Sequence, residues 1–127
     1  MAVINDRPAG ARSRLAQELA SGEHIGIPTV ALFELICGYE KSARRERNEA
    51  ALRSLLTLDV EPLPFELADA EHAGAIRAQL ERAGTPIGHY DLLIAAQARR
   101  HGATFVTPNQ REFARVPGLD VMDWATL

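Results

Sequence analysis

Short apolar runs that read as strands, alternating with stretches of helical period, constrain this chain more than any other feature. His24–Ile27 (HIGI) is strand-like, and Pro28 and Thr29 behind it make a good helix start for the apolar run Val30–Gly38. From Ala43 to Leu58 a second helix is expected, with Ala50, Ala51, Leu55 and Leu58 inward and Arg44, Arg45, Arg47 and Arg53 outward. Val60–Phe65 (VEPLPF) reads as a strand confined to a sheet edge, because Pro62 and Pro64 cannot donate to a ladder. Glu66–Ala83 should be a long helix burying Leu67, Ala70, Ala73, Ile76 and Leu80. The apolar helix DLLIAAQARR leads into the buried strand Thr104–Thr107, Leu119–Trp124 offers a last strand, and Ala11–Ala20 a short first helix. Strands alternating with helices predict an α/β domain with a central, mostly parallel sheet and helices on both faces.

At 127 residues, with no linker or repeat, residues 1–127 read as one domain, large enough to bury a substantial core without staples. The single cysteine, Cys37, forms no intrachain disulfide and is expected as a small core filler. No apolar stretch nears the roughly 20 residues that span a bilayer, and a cytoplasmic location is expected. The net charge of −3 does not announce a nucleic-acid binder. All but one of the 14 basic residues are arginines, which can grip phosphate with a planar fork, although an Arg-rich codon habit explains this equally well. Arg44 and Arg45, in the KSARRER run, are candidates for RNA contact or simply a solvated helix face.

The chemistry lies in polar residues set against apolar elements. Glu34 stands within VALFELICG, where no helical face escapes apolar neighbours, so the carboxylate is expected to be partly buried and to need a cation or a proton. A salt bridge or a metal ion would answer. Asp91 opens an apolar helix, where a cap or a ligand would serve. Thr107, Asn109 and Glu112 follow the buried strand TFVT, at the end of a parallel sheet where ligands bind. Convergence on one hard cation accounts for the three segments together, and oxygen donors without a Cys/His signature suit Mg2+ or Mn2+ rather than zinc. Such an ion can activate water and stabilise charge in phosphodiester hydrolysis.

The stretches TVALFELICGYEKSARR, VEPLPF and LERAGTPIGHYDLLIAAQARRHGATFVTPNQREFARVPGLDVMDW resemble PIN-domain proteins of the VapC toxin type, over nearly the whole chain from Asn5 onward. The resemblance implies a metal-dependent endoribonuclease that cuts RNA to arrest translation, held inactive by a small antitoxin, as a homodimer or a toxin–antitoxin hetero-oligomer. It places Glu34 and Asp91 at the second and third acids, as catalytic residues and metal ligands, and Asn109 at the fourth acidic position, with Thr107 and Glu112 as supporting polar groups. One departure stands out: PIN domains open on a buried strand ending in aspartate, usually D-T-N, and no such motif is present. MAVINDRPAGAR resembles what normally follows it, so the central strand and its aspartate are expected upstream of Met1, with Asp6 as the alternative first acid. Without that ligand the chain could instead be a non-catalytic RNA- or antitoxin-binding module, which divalent-metal binding would distinguish. A phosphorylation-switched receiver domain is a poorer fit, because its strand-end lysine is missing: Lys41 belongs to a helix.

Overall fold

A computed structural model describes residues 1–5 and 12–124. In chain order these form β1 (Ala2–Ile4), α1 (Arg12–Ala20), β2 (Ile25–Pro28), α2 (Thr29–Glu40), α3 (Arg45–Leu56), β3 (Val60–Leu63), α4 (Leu67–Arg82), α5 (His89–Arg100), β4 (Thr104–Val106), α6 (Gln110–Phe113) and β5 (Asp120–Met122). The five strands make one sheet in the order β3-β2-β1-β4-β5, every pair parallel. The expected α/β architecture is present.

The central strand departs from expectation. Ala2–Ile4 lies between β2 and β4, with Ala2 opposite both Ile25 and Thr104. The place expected for a strand upstream of Met1 is therefore filled from within this sequence. Ala2, Val3 and Ile4 are apolar and all buried, which suits them to the sheet's centre, paired on both sides. With the centre filled, the sheet's free edges are its outer strands, β3 and β5. Asp6 lies outside the described residues.

β3 sits at an edge, as its prolines require. Its end is secured by Gln97 of α5, buried, whose Nε2 donates to the carbonyls of Leu63 (3.0 Å) and Pro64 (3.2 Å). β2 packs close at Gly26, where a Cβ would stand 2.6 Å from Leu63 Cδ1 and 2.8 Å from Met1 Cε. The core is built from Val3, Ile4, Ile25, Ile27, Phe105 and Val106 on the sheet and the small-residue wall Ile94–Ala98 of α5.

α4 turns a different stripe inward than expected. Asp69, Ala73, Ile76 and Leu80 are buried, whereas Leu67 is 77% exposed and Ala70 is exposed as well. Asp69 fixes that rotation. Its Oδ2 accepts the Glu66 N–H at 2.8 Å in a capping box, and both its oxygens accept from Arg100, from Nε at 2.7 Å and Nη2 at 3.1 Å.

α2 also differs. Of its apolar residues only Ala31 is buried; Val30, Leu32 and Leu35 lean on the core, and Phe33, Ile36 and Cys37 are exposed. Cys37 is thus no core filler, and Glu34 is an exposed residue rather than a part-buried one. An all-round apolar helix does not say from its pattern which side meets the core.

Candidate active site at the carboxyl edge of the sheet

Because all strands run in parallel, their carboxyl ends share one side, and the strand order reverses at β1, between β2 and β4. That reversal is where open α/β sheets hold ligands. Four segments arrive there. β1 ends at Ile4 and is followed by Asn5; β2 passes into α2 with Glu34; α5 carries Asp91 in its first turn; β4 passes through Thr107 to Asn109 and α6.

Asp91 is half-buried, and its carboxyl is pushed up to about 6. Burial is the main cause, followed by the negative charges of Glu112 and Glu34 and a hydrogen bond to Glu112. A helix start favours a carboxylate by about 0.3–1 kcal/mol, and one pKa unit is about 1.4 kcal/mol, so the dipole of α5 cannot offset the crowding. Nor does Asp91 cap α5: Gly88 holds that position, and the helix start has no side-chain cap. The cap explanation for Asp91 therefore fails, and repulsion among acids remains. A Cβ on Gly88 would lie 3.3 Å from Asp91 Oδ2, so this glycine leaves the carboxylate its space.

Glu112 is held in place by Asn109, whose Nδ2 donates to its Oε2 at 2.8 Å. Thr107 is buried; its Oγ1 accepts the Asn109 N–H at 3.1 Å, and its own N–H donates to the Met122 carbonyl. Thr107 thus shapes the turn that presents Asn109 and Glu112. Asp91, Glu112 and Glu34 come together electrostatically, with Asn109 buttressing Glu112. Among the described residues, no three Asp, Glu, His or Cys side chains stand close enough, as they lie, to hold a metal ion.

The arginines are unequal. Arg45 is engaged, with Nη2 donating to Glu40 and Nη1 to Glu49, each at 2.7 Å, and its guanidinium over the Tyr39 ring. Arg44, exposed just before α3, makes no such ion pair among the described residues. Beside Glu34 a groove of about 370 Å3 runs between α2 and α3, lined also by Tyr39, Ser42, Asn48 and Leu52. Sequence reasoning missed this groove, because it depends on how two helices splay. It also missed Asn5, whose Oδ1 is buried without a hydrogen-bond partner among the described residues.

An all-parallel α/β sheet with acids from distant segments at its carboxyl edge defines the class. A PIN domain profile matches residues 1–119. The chain is 43% identical over 122 residues to the tRNA(fMet)-specific endonuclease VapC of Shigella flexneri, covering 96% of this chain and 89% of that protein. It is 36% identical over 121 residues to ribonuclease VapC2 of Rickettsia felis, covering 95% of this chain and 89% of that one. Among solved structures, the fold matches VapBC2 from Rickettsia felis bound to a promoter DNA fragment with TM-score 0.87 and 32% identity, over 98% of this chain and 99% of that one. DNA-bound VapBC from Salmonella typhimurium gives TM-score 0.84 and 36% identity, over 97% of both chains. The chain belongs to the PIN domain family, and within it stands with the VapC proteins.

Proposed function

We propose that the protein is an endoribonuclease toxin of a type II toxin–antitoxin pair, hydrolysing RNA phosphodiester bonds with Mg2+ or Mn2+ held by Asp91 and Glu34 and supported by Glu112. The observation that carries this reading is the meeting of Asp91, Glu112 and Glu34, from three distant segments, at the carboxyl edge of the sheet, with the carboxyl of Asp91 pushed up by burial and by the charges of the other two. Acids arranged to repel one another are stabilised by a cation among them. The donor set, all oxygen, fits a hard divalent ion.

When bound, the ion would supply an activated water and charge stabilisation at the phosphate. The chain's own residues divide the remaining work. Asp91 and Glu34 contribute carboxylates from two different helices. Glu112, clasped by Asn109, keeps a carboxylate beside Asp91, and the buried Thr107 fixes the turn that carries both. Exposed Arg44 is better suited than the ion-paired Arg45 to meet a phosphate of the substrate.

The printed name of the Shigella relative, a tRNA(fMet)-specific endonuclease, makes tRNA the substrate to test first. The VapBC complexes among the similar structures support an antitoxin partner and a hetero-oligomer, and the apolar surface of α2, with Phe33 and Ile36 exposed beside Tyr90, offers it a seat. A cytoplasmic setting belongs to this reading; among the described residues no helix is long and apolar enough to cross a membrane. The test is incubation of the purified protein with tRNA in Mg2+, in Mn2+ and in EDTA. Cleavage in either metal and none in EDTA is expected. Cleavage unaffected by EDTA would refute the metal reading, and binding without cleavage in any metal would make the chain a non-catalytic module.

A further inference from the structure

α2 and α3 leave a gap between them, and each turns a regular stripe toward it. Glu34, Gly38 and Ser42 recur every four residues along α2 and the turn behind it, and Asn48, Leu52 and Leu55 follow the same helical spacing on α3. The groove of about 370 Å3 between them is within the range of small-ligand pockets, about 300–1,000 Å3. Leu35, Leu52 and Leu55 give it apolar walls, and Tyr39 adds an aromatic one, with the Arg45 guanidinium 5.5 Å from its ring centroid. The lining also has a polar part. Asn48 Nδ2 donates to Ser42 Oγ at 3.2 Å, which fixes the amide and leaves its Oδ1 without a partner among the described residues.

The two ends of the groove differ in charge. One end is Glu34, a member of the acid cluster. The other is the turn between the helices, where Lys41, Arg44 and Arg47 are exposed and make no ion pair among the described residues, against one acid in the same state, Glu46. Arg45 differs, being engaged by Glu40 and Glu49. At a rise of 1.5 Å per residue, Glu34 and Ser42 are about 12 Å apart along α2. A ligand lying in the groove therefore reaches from the acids to a cluster of uncompensated cations.

We propose that this groove is an RNA subsite, taking one unpaired nucleobase of the strand whose phosphodiester lies at the acids, with a neighbouring phosphate on Arg44. This deepens the ribonuclease reading above and rests on it. A base has flat apolar faces and a polar edge, which suit the Leu and Tyr walls and the Asn48 amide. Bases splayed out of a strand are recognised in this way, by stacking and by hydrogen bonds along an edge. A base paired in a duplex is not free to enter between two helices. An apolar peptide would match the walls but leave Lys41, Arg44 and Arg47 without counter-charge, whereas every nucleotide brings a phosphate.

Gly38 allows the groove to be filled without disturbing its surroundings. A Cβ there meets no atom within 4 Å, and a helix interior gains stability from losing a glycine. The experiment follows the fluorescence anisotropy of a labelled single-stranded RNA of mixed sequence, and of the same RNA annealed to its complement, in EDTA so that no metal-dependent cleavage intervenes. Gly38→Leu should weaken binding of the single strand about tenfold, leave the duplex unchanged and keep the salt dependence of the parent. Asn48→Ala should act in the same direction by a smaller factor. Arg44→Ala has a different signature: the slope of log affinity against log salt should shrink by about 0.7, the share of one phosphate contact on a single strand. Thermal melts check the fold of each variant, and if Gly38→Leu does not fold, the exposed Asn48 decides through Asn48→Ala. Unchanged single-strand affinity in a folded Gly38→Leu, or an equal loss for strand and duplex, overturns the proposal and leaves the groove to a protein partner. Should the parent bind and cleave RNA while Gly38→Leu matches it, only the subsite falls. Should the parent bind neither RNA, the ribonuclease reading falls and the subsite with it.

Discussion

The two ends of α5 hold two carboxylate environments of opposite kind. At its first turn, the half-buried Asp91 faces the charges of Glu112 and Glu34, and its carboxyl is pushed up to about 6, chiefly by burial. At its last turn, Arg100 clasps the fully buried Asp69 of α4; burial pushes that carboxyl up, but the Arg100 hydrogen bonds and the Glu66 N–H outweigh it and leave it below the ordinary carboxylate value. One end meets its carboxylate with an arginine, the other with further carboxylates. A group that is unhappy in the isolated protein is a better guide to function than one that is content.

Each end can be broken separately. The largest effect is expected from Asp91→Asn, which should lower metal-dependent RNA cleavage at least about a hundredfold, read from initial rates under saturating Mg2+. Unchanged cleavage would remove Asp91 from the chemistry. Next comes Asp69→Ala, expected to destabilise the fold by about 3 kcal/mol in denaturant melts, because Arg100 loses its partner at the α4–α5 contact. Its Mn2+-induced stabilisation should stay as in the parent, and a lost metal response would show that the two ends are not separate.

The third effect lies in the pH dependence of the metal-free protein. The carboxyl of Asp91 has an ordinary value of 3.8 and a folded value of about 6, so in that window the native state binds more protons than the unfolded chain. Stability should therefore fall as pH rises from about 4 through 6, by on the order of 1–2 kcal/mol once solvent screening of this part-exposed group is allowed for. Asp91→Asn should flatten that fall. Asp69 works the other way: its folded pKa is lowered, so its contribution is present above its ordinary range and is lost as pH falls through the folded value. The smallest effect is expected at Arg45→Ala, whose ion pairs with Glu40 and Glu49 are exposed and screened, so thermal melts should show stability nearly unchanged.

Much of this was legible in the sequence wherever local chemistry decides. The prolines of VEPLPF dictate an edge strand wherever it pairs, and polar residues behind the buried TFVT run point to the carboxyl side of the sheet. The acids Glu34 and Asp91 stood out because charge inside apolar pattern is rare. Other features depend on context beyond the pattern. α2 is apolar on every side, and its pattern does not say which side meets the core, so Glu34 and Cys37 read in sequence as deeper than they lie. In α4 the inward stripe is set by Asp69, a charged residue that pattern reading assigns to solvent. β1 is only three residues long, too short to show a period, and the asparagine behind it looks like any turn residue.

The acids of the edge come from positions 34, 91 and 112, and the strand that backs the last of them runs to residue 122. A site gathered from such distant segments has no partial form. On the proposed reading, a chain still emerging from the ribosome holds Glu34 but lacks Asp91 and Glu112, and should not yet cut RNA. The cluster can assemble only after Glu112 has been made, so any activity that needs all three acids would arrive in one step rather than by degrees. The same distribution predicts that one proteolytic nick in the middle of the chain, by parting Glu34 from Asp91 and Glu112, would weaken any activity that needs all three.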